Sequence, residues 1–214
     1  MARIRRDLRS QLVEVAAGLL AAEGPRSLSA RRLGKELGTS STTVYTHFGG
    51  MPELVREVMR EGFRRLGAEL ASVSRSDDPV ADVVGLILAY RRAAHGAPHL
   101  YRVMFGGSEV AGFELTDDDR RIGRRTLAVA RDTIQRCTQA GRFRPVEPRI
   151  LAHQLWCQVH GLVSLELAGY RPADPDDHGD LRHYWRSFAV GAGDTTERAA
   201  ASVQSALANR IAAE

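Results

Sequence analysis

The sequence predicts an all-α protein, with a small N-terminal three-helix unit followed by a larger helical one. Three observations carry that expectation. Apolar residues recur at helical spacing almost from end to end, no stretch alternates as a strand would, and the connections are rich in Gly, Pro and Asp. With 214 residues, 43% of them hydrophobic and 26% charged, the chain is long enough to bury a real core.

The first helix is expected from about Arg5 to Glu23, with Leu8, Leu12, Val15, Ala16 and Leu19 on one stripe. Gly24-Pro25 ends it, because Gly accepts a left-handed cap and Pro cannot continue the helix. Ser29 is placed to cap a short second helix ending at Leu37, and Ser40 a third running to about His47. Gly49-Gly50 breaks the third helix, and Pro52 suits the first turn of a fourth. Leu54, Val55, Val58, Met59, Phe63, Leu66 and Leu70 carry that fourth helix to about residue 71. After the linker SVSRSDDP at 72–79, helices are expected at about 79–95, 98–105, 117–140, 148–168, 180–190 and 195–213. The division between units falls inside the fourth helix, giving residues 1–55 and 56–214.

The best apolar run, VVGLILAY at 83–90, is far shorter than the roughly 18 residues of a membrane span, so no membrane partner is expected. No secretory signal follows the basic N-terminus, and Cys137 and Cys157 fit no disulfide or paired-Cys zinc pattern. A reducing cytoplasm is the expected location. The formal net charge is +4, and residues 1–60 hold all of it, with 10 basic against 6 acidic side chains. A polyanion would be met there.

Within that basic segment stands GTSSTTVYTHF, residues 38–48. Two short helices joined by a tight turn at Gly38 make a helix-turn-helix, whose second helix enters the major groove N-terminus first. Ser41, Thr42 and Thr43 would meet base edges, since their hydroxyls donate or accept and a Thr methyl touches a thymine methyl. Tyr45 and His47, one turn on, are placed for phosphates, and Thr46 belongs to the same DNA-facing set. Val44 and Phe48 face inward against Leu33 and Leu37. The bland alternative is a hydroxyl-rich surface helix that happens to follow a glycine.

Residues 28–55, LSARRLGKELGTSSTTVYTHFGGMPELV, resemble the DNA-binding domain of tetracycline-repressor (TetR) family regulators. The match includes Leu28 before the Ser29 cap, Leu33-Gly34, Gly38, Tyr45-x-His47-Phe48 and Glu53-Leu54. With LVEVAAGLLAAEGPRSLS before it, the resemblance covers roughly residues 5–65. It implies that Arg31 contacts the operator; Arg3, Arg5 and Arg6 match only a general habit of basic N-terminal arms and read equally as a disordered tail. Three positions depart from the family's habit. Met51 stands where a phosphate-touching lysine is usual, Gly34 where alanine is, and Thr39 where valine is. Gly34 costs about 1 kcal/mol of helix propensity and permits closer packing of the motif helices.

In the C-terminal part, LAHQLWCQVHGLVSLELAG at 151–169 and PHLYRVMFGG at 98–107 resemble a TetR subclass named for Trp, His and Gly, here Trp156, His160 and Gly161. The helix at 148–168 is apolar almost all round, through Leu151, Leu155, Trp156, Val159, Leu162, Val163 and Leu167. With Ala199, Val203, Ala206, Leu207 and Ile211 of the last helix it is expected to form a four-helix homodimer seam. Candidate walls of a small-molecule pocket are Tyr101, Met104, Phe105, Phe113, Trp156, His160 and Tyr184.

The expected function is that of a ligand-responsive repressor. A homodimer would bind double-stranded, palindromic operator DNA and be released by a small apolar or aromatic effector. No cofactor is expected, and no nucleophile elbow, phosphate loop or metalloprotease motif supports an enzyme. The alternative is a metal-responsive regulator, or less favourably a metal-dependent enzyme, using His153, Cys157 and His160. These lie at i, i+4 and i+7 of one helix, without a fourth ligand in the local sequence.

Overall fold

The computed structural model describes the backbone of residues 2–106, 110, 112–171 and 178–211, and the side chains of 8–106, 110, 112–171 and 181–208. The side chains of Arg3, Arg5, Arg6 and Ile211 lie outside the described residues. The described chain is helical and contains no strand. Its α-helices are α1 (Ala2–Glu23), α2 (Ala30–Glu36), α3 (Thr42–Phe48), α4 (Met51–Ala71), α5 (Pro79–Gly96), α6 (Pro98–Met104), α7 (Asp117–Arg125), α8 (Leu127–Gln139), α9 (Pro148–Leu167), α10 (His178–Ala192) and α11 (Thr196–Ile211). They group into two compact units, residues 1–66 with 96–125 and residues 67–95 with 126–214.

In the first unit the α1 stripe closes inward, with Leu12, Ala16 and Leu20 fully buried. Gly24, at φ 80, stops the helix as expected. Helix α1 packs on α6. Helix α4 approaches α6 where Gly62 lies so near Met104 that a Cβ would sit 2.6 Å from the sulfur. On its other flank α4 is tied to the start of α7. The Arg56 Nε donates to Asp119 Oδ2 at 3.0 Å, and its guanidinium lies 5.3 Å over the Phe113 ring.

In the second unit α5 is buried nearly all round, from Pro79 to Arg91. Helix α9 packs on α8, and α10 pairs with α11. The loop after α8 carries Arg142, which is buried and donates to Asp194 (2.9 and 2.5 Å), Asp78 (3.0 Å) and Ser202 (2.9 Å). A buried guanidinium needs this many partners, and in return it joins the start of α5, the α10–α11 turn and α11.

Four expectations need correction. The helix expected at 117–140 is two, because the ladder breaks at Thr126 although that residue keeps helical dihedrals (φ −64, ψ −21). Arg125 ends the first unit and Thr126 begins the second, so α7 and α8 answer to different cores. Ser40 does not cap α3; its hydroxyl pairs with Thr42 Oγ1 at 2.5 Å, and Ser41 occupies the cap position without a side-chain bond. Helix α9 is one-sided. Leu151, Leu155, Val159 and Val163 are buried, whereas His153, Gln154, Cys157, Gln158, Ser164 and Leu165 are exposed. On α11, Ala199, Val203, Ala206 and Leu207 are already buried within the protomer. Apolar side chains consumed by their own core cannot form a seam with a second copy.

Candidate functional site

Helix α2 begins where Ser29, in extended conformation (φ −147, ψ 152), turns its hydroxyl back to accept the Arg32 N–H at 3.2 Å. It ends at Gly38, whose φ of 62 reverses the chain toward α3. The two helices pack with Leu33 and Val44 fully buried. Gly49, left-handed at φ 83, then stops α3. The Arg9 guanidinium lies 4.8 Å over Phe48 and 3.3 Å from Glu57, bracing α1 against the end of α3 and the start of α4. That brace had no signal in the sequence beyond a basic residue on α1.

With Val44 inward, Ser41, Thr42, Tyr45 and Thr46 point out, and Tyr45 is 58% exposed. Thr43 and His47 are half-buried. Several hydroxyls have local partners. Thr43 Oγ1 lies 2.8 Å from Thr39 Oγ1, and Thr46 Oγ1 donates to the Thr42 carbonyl at 3.0 Å. The adjacent arginines of α2 differ sharply. Arg32 is spent on Glu36 (2.8 Å) and Glu23 (3.1 Å), while Arg31 is exposed and has no ion pair or hydrogen bond among the described residues. A solvated, unpaired guanidinium beside the reading helix is available to a phosphate.

The pocket candidates fall in two groups. In the first unit Tyr101 and Phe105 have ring centroids 4.9 Å apart, Phe105 meets Phe63 edge-on at 5.4 Å, Met104 lies against Gly62, and Phe113 lies beneath Arg56. In the sequence Phe63 stands out only as part of the α4 apolar stripe, because its meeting with Phe105 depends on how α4 and α6 pack. In the second unit Trp156 and His160 are half-buried neighbours with rings 5.7 Å apart. The His160 Nδ1 lies 3.1 Å from the Tyr90 hydroxyl. Burial pushes the His160 imidazole below its usual pKa, keeping the ring neutral near pH 7. Tyr184 stands 54% exposed, with the Arg171 guanidinium 5.9 Å over its ring.

His153, Cys157 and His160 do not converge. His153 turns toward Trp156 at 5.6 Å and Cys157 is exposed. Among the described residues no group of three or more His, Cys, Asp or Glu side chains could hold a metal ion. The i, i+4, i+7 pattern aligned Cα atoms but not donor atoms, so the metal alternative finds no site.

An all-helical chain whose helix-turn-helix turns hydroxyls, a tyrosine and an unpaired arginine outward defines a DNA-binding transcriptional regulator of helix-turn-helix type. Residues 12–58 match the model for bacterial regulatory proteins of the tetR family, and residues 83–184 match that for the tetracyclin repressor-like C-terminal domain. The chain belongs to the tetracycline-repressor (TetR) family. It is 27% identical over 191 residues to the nucleoid occlusion factor SlmA of Vibrio vulnificus, covering 83% of this chain and 91% of that one. It is 29% identical over 168 residues to an uncharacterized HTH-type transcriptional regulator of Mycobacterium tuberculosis, covering 75% and 71%. Among solved structures the fold is similar to that of RolR in complex with resorcinol. The TM-score is 0.68 at 16% identity, over 95% of this chain and 96% of that one.

Proposed function

We propose that this regulator is a repressor that binds a palindromic operator as a homodimer and is released by a small effector with an apolar or aromatic body. In this reading residues 1–55 contact DNA, and residues 56–214 dimerise and take up the effector. The observation that carries it is the outward face of α3, with Arg31 unpaired beside it. Ser41, Thr42 and Thr43 read bases, while Arg31, Tyr45, Thr46 and His47 hold phosphates. Thr43, its hydroxyl engaged by Thr39, reads through its methyl or by exchanging that bond.

The dimer seam is assigned to the outer faces of α9 and α10. Ile150, Leu165, Tyr184 and Val190 are the exposed large hydrophobic residues there, and a Cβ added at Gly161 or Gly191 would meet nothing within 4 Å. Small residues on an open face let a second copy approach closely. Trp156 and His160, which also carry the likeness to the Trp-His-Gly subclass, are the effector contacts in the second unit. A resorcinol complex of the similarly folded RolR supports a small aromatic ligand.

The test is selection from a random duplex library with the full-length protein. A palindrome with half-sites about one helical turn, ~34 Å, apart is expected. Recovery of no preferred sequence, or of a lone half-site, would count against the reading. Leu165→Glu should yield a monomer in sedimentation and lose operator binding, and a dimer that persists would move the seam elsewhere.

A further inference from the structure

We propose that the second unit binds an organic acid, with the ligand carboxylate seated on the outer edge of Arg91 in α5. This rests on the effector reading above and names the chemistry of the ligand. The starting observation is Glu166 on α9, whose side chain is wholly buried. It accepts from Arg91 Nε at 3.1 and 2.9 Å and from Arg171 Nη1 at 3.1 Å, and its Oε2 lies 2.8 Å from His95 Nε2. One guanidinium suffices to offset one carboxylate, and here two guanidinium groups and an imidazole converge on it.

Arg91 is only 7% exposed, and all its hydrogen bonds leave through Nε. A guanidinium has five N–H donors, so the four on Nη1 and Nη2 have no acceptor among the described residues. Those atoms are not sealed in. The fully enclosed side-chain N and O atoms without a partner, among the described residues, are Asp119 Oδ1 and Trp185 Nε1. A nine-tenths buried arginine therefore turns an unused edge toward accessible space. Glu166 grips its Nε and fixes the plane of the fork, which presents two N–H donors to a flat, two-oxygen anion. Ile87, Leu88 and Ala94 lie within about a turn of Arg91 along α5, and Leu162 and Val163 within about a turn of Glu166 along α9. All five are buried and apolar, so the fork stands in apolar surroundings, which favour an acid with an apolar body over a hydrated ion.

The experiment is titration calorimetry of the full-length protein with benzoate, octanoate and palmitate, each paired with its neutral amide, and with inorganic phosphate. At least one acid should bind, with its amide about ten-fold or more weaker. Arg91→Lys keeps the charge and one bond to Glu166 but loses the fork; with an unchanged circular dichroism spectrum, it should weaken the acid about ten-fold and leave the amide alone. Arg75→Gln, another arginine of the same unit, should change nothing. Equal affinity for acid and amide, no binding of any acid, or a preference for phosphate overturns the proposal. An operator shift assay with the same compounds separates the two readings. A neutral aromatic that releases DNA while no acid binds leaves the effector reading standing without this site. An acid that binds through Arg91 yet leaves the operator complex intact establishes the site and removes the effector reading.

Discussion

Gly34 and Thr39 meet backbone to backbone across the turn of the helix-turn-helix. The Thr39 N–H donates to the Gly34 carbonyl at 2.8 Å, and a Cβ on Gly34 would stand 2.8 Å from the Thr39 carbonyl oxygen. Ser40 and Ser41 backbone atoms lie almost as close, at 3.0 and 3.1 Å. Two effects therefore oppose each other in Gly34→Ala. Helix propensity favours alanine by about 1 kcal/mol. Overpacking against backbone, which cannot rotate away, costs about 1–3 kcal/mol. The variant should melt lower and bind operator more weakly, since α3 hangs from this turn. An equal or higher melting temperature would show that the turn yields.

Tyr45→Phe removes a hydroxyl from a side chain that is 58% exposed, so the fold should be unaffected. Operator affinity should fall by about 1 kcal/mol, and uniformly across sequence variants of the site, because a phosphate contact carries no base information. Unchanged affinity in a shift assay at fixed salt would place Tyr45 away from DNA.

Acid should destabilise the protein in two stages. Burial holds the His160 pKa below its usual 6.5, so folding favours the neutral ring. That contribution is complete above the unfolded-state pKa of about 6.5 and is lost as pH falls through the lower folded value. Burial alone would raise Asp119 and Glu166, but hydrogen bonds from Thr116 and Arg56 to the first, and from Arg91 and His95 to the second, outweigh it. Both are held below their usual values, so their contribution persists above about pH 4 and disappears below it. Urea midpoints measured from pH 8 to 3 should show both declines, and His160→Phe should abolish the upper one alone. An upper decline that survives in His160→Phe would assign it to another group.

Cys137 should be inert in the native protein. Burial pushes its thiol up to about 12, leaving almost no thiolate at pH 8. In Cys157→Ser, where it is the remaining thiol, reaction with a disulfide reagent should wait for unfolding. Rapid labelling of the folded variant would mean that the α8 core opens locally.

The reading helix was legible because its signals are local. Gly38 and Gly49 sit at positive φ, and Ser29 caps α2 through its own hydroxyl. The exposure of α3 follows from Val44 being apolar between polar neighbours. Arg31 and Arg32 were indistinguishable by type. Their difference depends on Glu23 and Glu36, one of which arrives from α1.

The sequence by itself determined the helices, the turn that joins α2 to α3 and the residues α3 turns outward, because spacing, caps and glycines act within a few residues. Tertiary structure decided which apolar faces were already spent. Helix α11 buries Val203 and Leu207 within its own protomer, and α9 proves one-sided once its Leu155 face is covered. It also decided that Arg91, Arg171 and His95 converge on Glu166, and that His153, Cys157 and His160 hold no metal in common. Burial and convergence are properties of what packs opposite a helix, and periodicity shows only which face wants a partner, not which partner arrives.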